Sequence, residues 1–570
     1  AVLHLADEHV YLVPPLPVAD DPAAALAPAS ALFRTRAQQA APDFQISPGN
    51  RGDVAAICAR LDGLPLAIEL AAARMRVLTP RALLARLSHR FALLVGGPRD
   101  RPERQQTLRA TLDWSYALLD PTEQRLLRRL AVFAGGFSLE LAEQLVSVPD
   151  VIPLLERLVA QSLVQRVHGQ SDALRFTLLE TIRAYALERL VELGEEPAAR
   201  QSHARCLLAF AERAAPELEH NEQATWLDRL ELEQDNLRAA LAWAQAHAVE
   251  AALRLVAALG AFWIKRGSLS EGRAWAEGVL TAAGWRREQG ATPATATAPL
   301  AGALAALGQV LFHQGAYAAA TPLLTAAAAQ FEQLGRPHDA VLACYLLVPA
   351  LAIQGDGAAA AARAATNLPL LTGIDDPPAR VIIARYHGLR AMHQGDDALA
   401  QRYLEQACAE LRAAGMVGAL AIDLLHLGTT LLHRDDERAA TCFREARALA
   451  VALKDRSVEG MALHNLGELA RVRGEYPAAA AHYRASLRML QDTDRRSDVS
   501  RLLHNLGYVA LHSGDTPSAL EHFQHSLALY YPHDPRGVTE ALDGFAAVAA
   551  VRGDPLTAAR FWGAAEVARA

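Results

Sequence analysis

The residues best placed to do chemistry lie in the run Leu61-Asp62-Gly63-Leu64-Pro65-Leu66-Ala67-Ile68-Glu69-Leu70-Ala71-Ala72-Ala73-Arg74. An Asp-Gly turn and Pro65 stand at the mouth of an Ala-rich helix. Pro is tolerated there because a first-turn N–H has no intrahelical partner. Such a mouth presents free N–H groups and the positive end of the helix dipole, which suits a phosphate or a nucleotide edge. Gly63 and Pro65 are the candidate contacts; the plainer reading is a capped core helix. Further polar candidates cluster late in the chain: His504, Asn505 and His512, with His522 and His525 nearby. They lack metal spacing such as HExxH, and Asn465 and Asn505 recur at a repeat position that packing can set. No nucleophile elbow, metal-ligand set or carboxylate pair is present, so no catalytic residue and no metal site is assigned.

The elements that must position these residues belong to a mostly α chain. Its 570 residues are 52% hydrophobic and 21% charged, enough for several cores and unlike a disordered polymer. The net charge of −7 points neither to nucleic acid nor to an anionic membrane surface. The five cysteines are scattered and lack CxxC spacing, as expected of reduced thiols in a cytoplasmic protein. No apolar run reaches the ~18 residues of a membrane span, and no signal peptide is visible.

Residues 1–28 are Pro-interrupted and extended, and read as the edge of a lost sheet. Residues 29–97 form a helical domain, with helices over Ser30–Ala40, Asp53–Leu61, Pro65–Val77 and Pro80–Phe91. Ser30 and Thr79 are the expected N-caps of the first and last. The Gly96–Pro102 stretch is a linker. Over 98–195, Gln105–Leu118 is helical, Asp120 and Glu123 form a capping box, Ser138 caps a short helix, and another begins at Asp150. Strands at Leu163–Val167 and Leu174–Leu178 make a hairpin, so helices followed by a hairpin predict a winged-helix domain. The expected groove helix, Ser138–Val146, carries Glu140 and Glu143 and no basic residue. Arg99, Arg101, Arg104, Arg109, Arg125, Arg128 and Arg129 are spread elsewhere, which argues against direct DNA contact.

Residues 196–300 read as irregular helical pairs, with Trp226, Trp243, Trp263 and Trp275 as core. From 301 to 570 a period near 40 appears. Gly315, Gly355, Gly395, Gly474, Gly514 and Gly553 mark the turns, with Asp435 in the missing place. Gly308, Gly388, Gly428, Gly467 and Gly507 lead them by seven residues, where helices must cross closely. About six repeats of a superhelix are expected, similar to tetratricopeptide (TPR) repeats with lengthened helices. HEAT-like pairs are the alternative. Such an array leaves a concave face free for a partner.

Gly63-Leu64-Pro65-Leu66-Ala67 resembles the GLPLA motif of NB-ARC/STAND signalling ATPases, most closely the bacterial LuxR- and AfsR-like regulators. The resemblance continues in order through Arg104–Tyr116, Phe133–Glu140, Leu178–Arg183, Trp226–Glu231 and Asp235–Leu241, over about a third of the chain. It implies an adenine-side contact for Gly63 and Pro65 in a full-length parent that binds ATP or ADP. It also implies a TPR arm that receives a protein or small-molecule inducer, and possible self-association of the parent. The departures are as informative. The only lysines are Lys265, followed by Arg266, and Lys454, followed by Asp455, so neither can be the P-loop Lys. No Walker B pattern precedes Gly63. Leu178, Leu179 and Glu180 stand where the better-studied branches carry Met-His-Asp, and Leu179 cannot donate to a phosphate. Phe561–Glu566 resembles a segment that normally continues. The expectation is a non-catalytic regulatory fragment with no cofactor of its own. The rivals are a free-standing TPR interaction scaffold and a protein that binds DNA through the winged helix.

Overall fold

The structure is a computed structural model. It describes residues 14–18, 26–87, 107–146, 150–167, 174–285, 296–367, 377–491, 493, 495–530 and 535–569. The expected lost-sheet edge, the Gly96–Pro102 linker and the tip of the hairpin lie wholly or largely outside these residues. The chain packs as two units: residues 1–207 with 235–240, and 208–234 with 241–570.

The first unit opens with helices α1 Pro28–Ala40, α2 Arg51–Arg60, α3 Pro65–Ala72 and α4 Pro80–Arg86, with a 3-10 turn over Ala73–Arg76. Thr79 accepts from the Ala82 N–H at 3.3 Å, as a cap should. Ser30 does not cap α1. Pro28 starts the helix two residues earlier, and Ser30 is buried within its first turn. The fixed φ of Pro favours the first helical position over competition from a later Ser.

The winged-helix elements follow: α5 Leu108–Ala117, α6 Pro121–Leu130, strand β1 Phe137–Ser138, α7 Leu139–Val146, α8 Ile152–Ala160, β2 Gln165–Val167, β3 Arg175–Thr177 and α9 Glu180–Glu192. Asp120 and Glu123 form the full reciprocal capping box on α6. Ser138 Oγ accepts from the Leu141 N–H at 3.3 Å. The hairpin pairs Arg166 with Phe176 in antiparallel register. A third strand, β1, joins it on the other edge of β3, in the order β1-β3-β2. The helix directly before the hairpin is therefore α8, not Ser138–Val146. Its one cation, Arg157, lies 3.3 Å from Asp120 and 3.1 Å from Glu123.

The rest of the chain is a succession of helices that pair along the sequence, the α-solenoid expected from the period. After α10 Glu196–Glu217, α11 Gln223–Leu232 and α12 Gln234–His247 come α13 Val249–Arg266 and α14 Leu269–Ala282. Then follow α15 Ala298–His313, α16 Tyr317–Gln333, α17 Pro337–Ile353, α18 Gly357–Asn367, α19 Pro377–Gln394, α20 Asp397–Ala413, α21 Val417–Leu431 and α22 Asp436–Ala452. The last are α23 Arg456–Val472, α24 Tyr476–Leu490, α25 Arg496–His512, α26 Thr516–Tyr530, α27 Pro535–Val551 and α28 Pro555–Arg569. From Ala298 onward this makes seven pairs among the described residues, one more than the period suggested. The first helix of a pair touches its own partner and, in most steps, the first helix of the next pair. These helices form the inner layer.

The leading glycine series does what its spacing demands. A Cβ on Gly467 would lie 2.6 Å from the Tyr483 ring, and one on Gly428 would lie 2.4 Å from Phe443. Side chains of the second helix occupy that space: Leu324 at Gly308, Leu404 at Gly388, and the rings of Phe443, Tyr483 and Phe523 at the other three. The turn lacking a glycine is solved differently from expectation: His433 takes the left-handed conformation at φ 68°, and Asp435 caps α22 by accepting from the Arg438 N–H. Trp263 is core, whereas Trp226, Trp243 and Trp275 are only half-buried. Arg229 covers the Trp226 ring at 4.1 Å. All five cysteines are buried and unpaired with one another. Among the described residues, no helix is long and apolar enough to cross a membrane, and no cluster could hold a metal ion.

Candidate functional site

The turn ahead of Pro65 is built by two residues with positive φ, Asp62 at 56° and Gly63 at 66°. The Leu16 N–H donates to the Gly63 carbonyl at 3.0 Å. A Cβ on Gly63 would lie only 2.2 Å from the Leu16 carbonyl oxygen, so only Gly allows this approach. Gly63 is buried and Pro65 is exposed at the first position of α3.

The sequence reading missed Asp62. Its carboxylate accepts from the Glu180 N–H at 3.1 Å and the Thr181 N–H at 2.8 Å, and the Thr181 hydroxyl donates to it at 2.6 Å. The free N–H groups and positive dipole at the start of α9 are thus held by a carboxylate from the turn before α3. This fastens the GLPLA-bearing helices to the last helix of the winged-helix segment. Leu179 is the residue before α9 and offers no side-chain donor; Leu178 is buried. Glu180 is tied to Arg183 at 2.7 Å. The left-handed Asp-Gly pair was the available signal, since it points a carboxylate away from its own helix.

Two more of the ordered motifs meet within the same unit. Asn236 accepts from the Ala134 N–H at 2.6 Å and donates to the Gly136 carbonyl at 2.7 Å. Gly136, at φ 94°, leaves room for the Phe176 carbonyl, which a Cβ would meet at 2.7 Å. These residues are joints of the fold. Arg109 pairs with Glu188 and Glu192, and Arg128 with Glu195, so much of the charge near the winged helix is already neutralised.

On the repeats, the three late candidates do not converge. His504 is buried against Phe523 and Tyr508, with centroids 5.5 and 5.0 Å away. Asn505 turns the other way, towards His464 Nε2 at 3.1 Å and the Glu468 carboxylate. Tyr483 also donates to Glu468. Burial disfavours ionisation of Glu468, but Arg471 and the Tyr483 hydroxyl outweigh it and hold the carboxyl below its usual range. His512 is exposed and stacks on Tyr476 at 4.7 Å.

Burial pushes His203 and His504 down to about 4, from 6.5 for the free group. Between those values the unfolded chain binds protons that the folded chain does not, so stability falls as pH drops through this window. The melting temperature is expected to decline from pH 6.5 to 4, and less steeply in His504→Leu. A melting temperature independent of pH over that range, read by circular dichroism, would contradict this.

Comparison with known proteins places two domains. Residues 119–191 match a winged helix-turn-helix domain model, and residues 458–531 match a tetratricopeptide repeat model. The chain therefore carries a winged-helix domain and TPR repeats. It is 40% identical over 284 residues to a Mycobacterium bovis protein named "Putative HTH-type transcriptional regulator Mb0914c", covering 48% of this chain and 31% of that one. It is 42% identical over 201 residues to the uncharacterized Mycobacterium tuberculosis protein Rv0894, covering 34% of this chain and 49% of that one. The chain thus spans about a third to a half of the length of these relatives. Among solved structures it is similar to a STAND protein with a TPR sensor from Pyrococcus horikoshii, with TM-score 0.46 and 14% identity over 94% of this chain and 71% of that one. The domain matches and the regulator-named relatives agree with the resemblance drawn from the motifs.

Proposed function

We propose that this chain is the regulatory part of a STAND-type transcriptional regulator and acts by recognition rather than catalysis. The TPR array receives a partner protein or small inducer on its inner face. The GLPLA helices and the winged helix, fastened together, adjoin the nucleotide module of a full-length parent, where ATP or ADP would bind on the Gly63 and Pro65 side. The observation that carries this reading is the Asp62 carboxylate seated on the start of α9, which makes one joint of two motif-bearing segments. A signal that shifts such a joint biases a two-state switch. The chain's own residues supply no phosphate cradle, because its two lysines lie in other settings.

The test is the DNA upstream of the Ala1 codon. An in-frame Gly-x-x-x-x-Gly-Lys-Ser/Thr supports the switch, and a start codon beside Ala1 would favour a free-standing scaffold. DNA binding through the winged helix is the weaker reading, since Arg157 of α8 is engaged by Asp120 and Glu123. No gel shift of duplex DNA is expected at low salt; a shift that weakens steeply with salt would reverse that conclusion.

A further inference from the structure

The repeat unit touches itself across long sequence distances, five to six helix pairs on. The inner helix α13 meets the inner helix α23, five pairs later. The end of α15 meets the start of α25, again five pairs on: Arg495 donates towards His313 at 3.2 Å, and a Cβ on Gly315 would strike Ser497. One step earlier, the turn between α10 and α11 meets the start of α21, where the Gly418 N–H donates to the Glu219 carbonyl at 3.4 Å. A solenoid whose long-range contacts recur every five to six pairs has completed one superhelical turn and landed on the next.

This seam differs in kind from the packing within each turn. Neighbouring pairs are held by leucines and rings. The seam is held by charge. Lys265 Nζ, only 7% exposed, lies 3.8 Å from Asp455 across the seam and 3.3 Å from Glu219 on its own side. Gln223, fully buried, donates to the Leu453 carbonyl at 3.3 Å. Lys454 reaches Asp228 at 2.6 Å, and Asp228 also takes Arg266 at 2.8 Å. The seam thus holds both lysines of the 570-residue chain. The close contacts at Gly267 and Gly315 are with Thr493 and Ser497, which bury little apolar surface. Gln223 Oε1, Ser457 Oγ and Arg495 Nε are buried there without a hydrogen-bond partner. Groups left in that state favour opening.

We propose that the seam is a charge-held clasp that closes the superhelix on itself and can open without unfolding any helix pair. The TPR array is thereby a two-state spring. Its closed state is set by Lys265 with Asp455, and by Lys454 with Asp228. Any ligand that binds the open inner face better would have to pull these pairs apart. The clasp needs neither nucleotide nor partner, so it is tested separately from the regulatory reading, to which it adds the moving part.

The two lysines make the test direct. The full chain is treated with an amine-reactive acetylating reagent, and the extent of labelling at each lysine is followed by mass spectrometry, with small-angle scattering alongside. In the unaltered protein Lys454, more than half exposed, labels first, and Lys265 is protected. In the double variant Asp228→Asn, Asp455→Asn, Lys265 labelling is expected to rise by at least about tenfold, because both lysines have lost their carboxylates across the seam. The radius of gyration should rise with it while the helical circular dichroism stays unchanged. If the variant loses helical signal, the unaltered protein in 1 M salt decides instead: faster Lys265 labelling with an expanded radius supports the clasp. Equal labelling of both lysines in the unaltered protein would overturn it. So would a folded variant, or a salt-treated protein, with Lys265 still protected and the radius unchanged.

Discussion

Replacing Arg385 with Met should destabilise the repeat unit by about 3–5 kcal/mol, the usual cost of breaking a buried ion pair from one side. Arg385 lies on α19 with its Nε 3.0 Å from the carboxylate of Asp423 on α21, and Asp423 is fully buried. Its guanidinium also covers the Tyr345 ring at 4.6 Å and donates to the Tyr345 hydroxyl at 3.2 Å. Burial opposes the Arg385 charge, yet Asp423 and Tyr345 outweigh burial and raise its pKa. Three successive inner helices are thus tied by one group. Without it, a carboxylate stays inside the protein with His426 Nδ1 at 3.8 Å as its nearest remaining cationic candidate. The double variant Arg385→Met, Asp423→Leu should recover most of the loss, since an apolar pair of similar volume often replaces a buried ion pair at little cost. Urea unfolding followed at 222 nm measures both. A single variant within about 1 kcal/mol of the parent, in the range of an exposed pair, would show that the pair is solvated instead.

Gly63→Ala should be nearly as damaging to the first unit. The new Cβ meets a backbone oxygen at 2.2 Å rather than a side chain that can swing away, and the residue sits at φ 66°. Left-handed strain alone costs about 1–2 kcal/mol, and displacing Leu16 adds to it. The expected result is loss of about 2–5 kcal/mol, taking that strain with an overpacking cost of about 1–3 kcal/mol. The milder Asp62→Ala should cost about 1–2 kcal/mol, as loss of a helix cap does. It should also speed amide exchange at Glu180 and Thr181, whose N–H groups lose their acceptor. Unchanged exchange at those two amides would show that the joint is not held by Asp62.

What the sequence made legible was local. Thr79 and Asp120 could be read as caps because a cap and the N–H that donates to it lie within three residues. The Gly308 to Gly507 series could be read as close crossings because the helices that cross are adjacent in the chain. Ser30 misled because a preceding Pro started the helix first. Strand β1 escaped notice because two residues, Phe137 and Ser138, carry no alternation of their own and are strands only by pairing with β3. The role of Asp62 depends on partners 118 and 119 residues away. The clasp depends on contacts such as Lys454 with Asp228, 226 residues apart. No spacing rule spans such distances, so the lysines read as absences from a phosphate site and not as parts of a seam. The late histidines failed as a cluster for a related reason. Adjacent residues of a helix are turned by about 100° from one another, and His504 and Asn505, adjacent in sequence, point to different neighbours.

In the proposed regulatory role this chain would recognise and transmit rather than catalyse. The most direct test of that role is ATP turnover by the purified 570-residue chain with magnesium present, measured as phosphate release beside a buffer control. Release no faster than the control is expected; sustained release that scales with protein concentration and survives further purification would contradict the proposal.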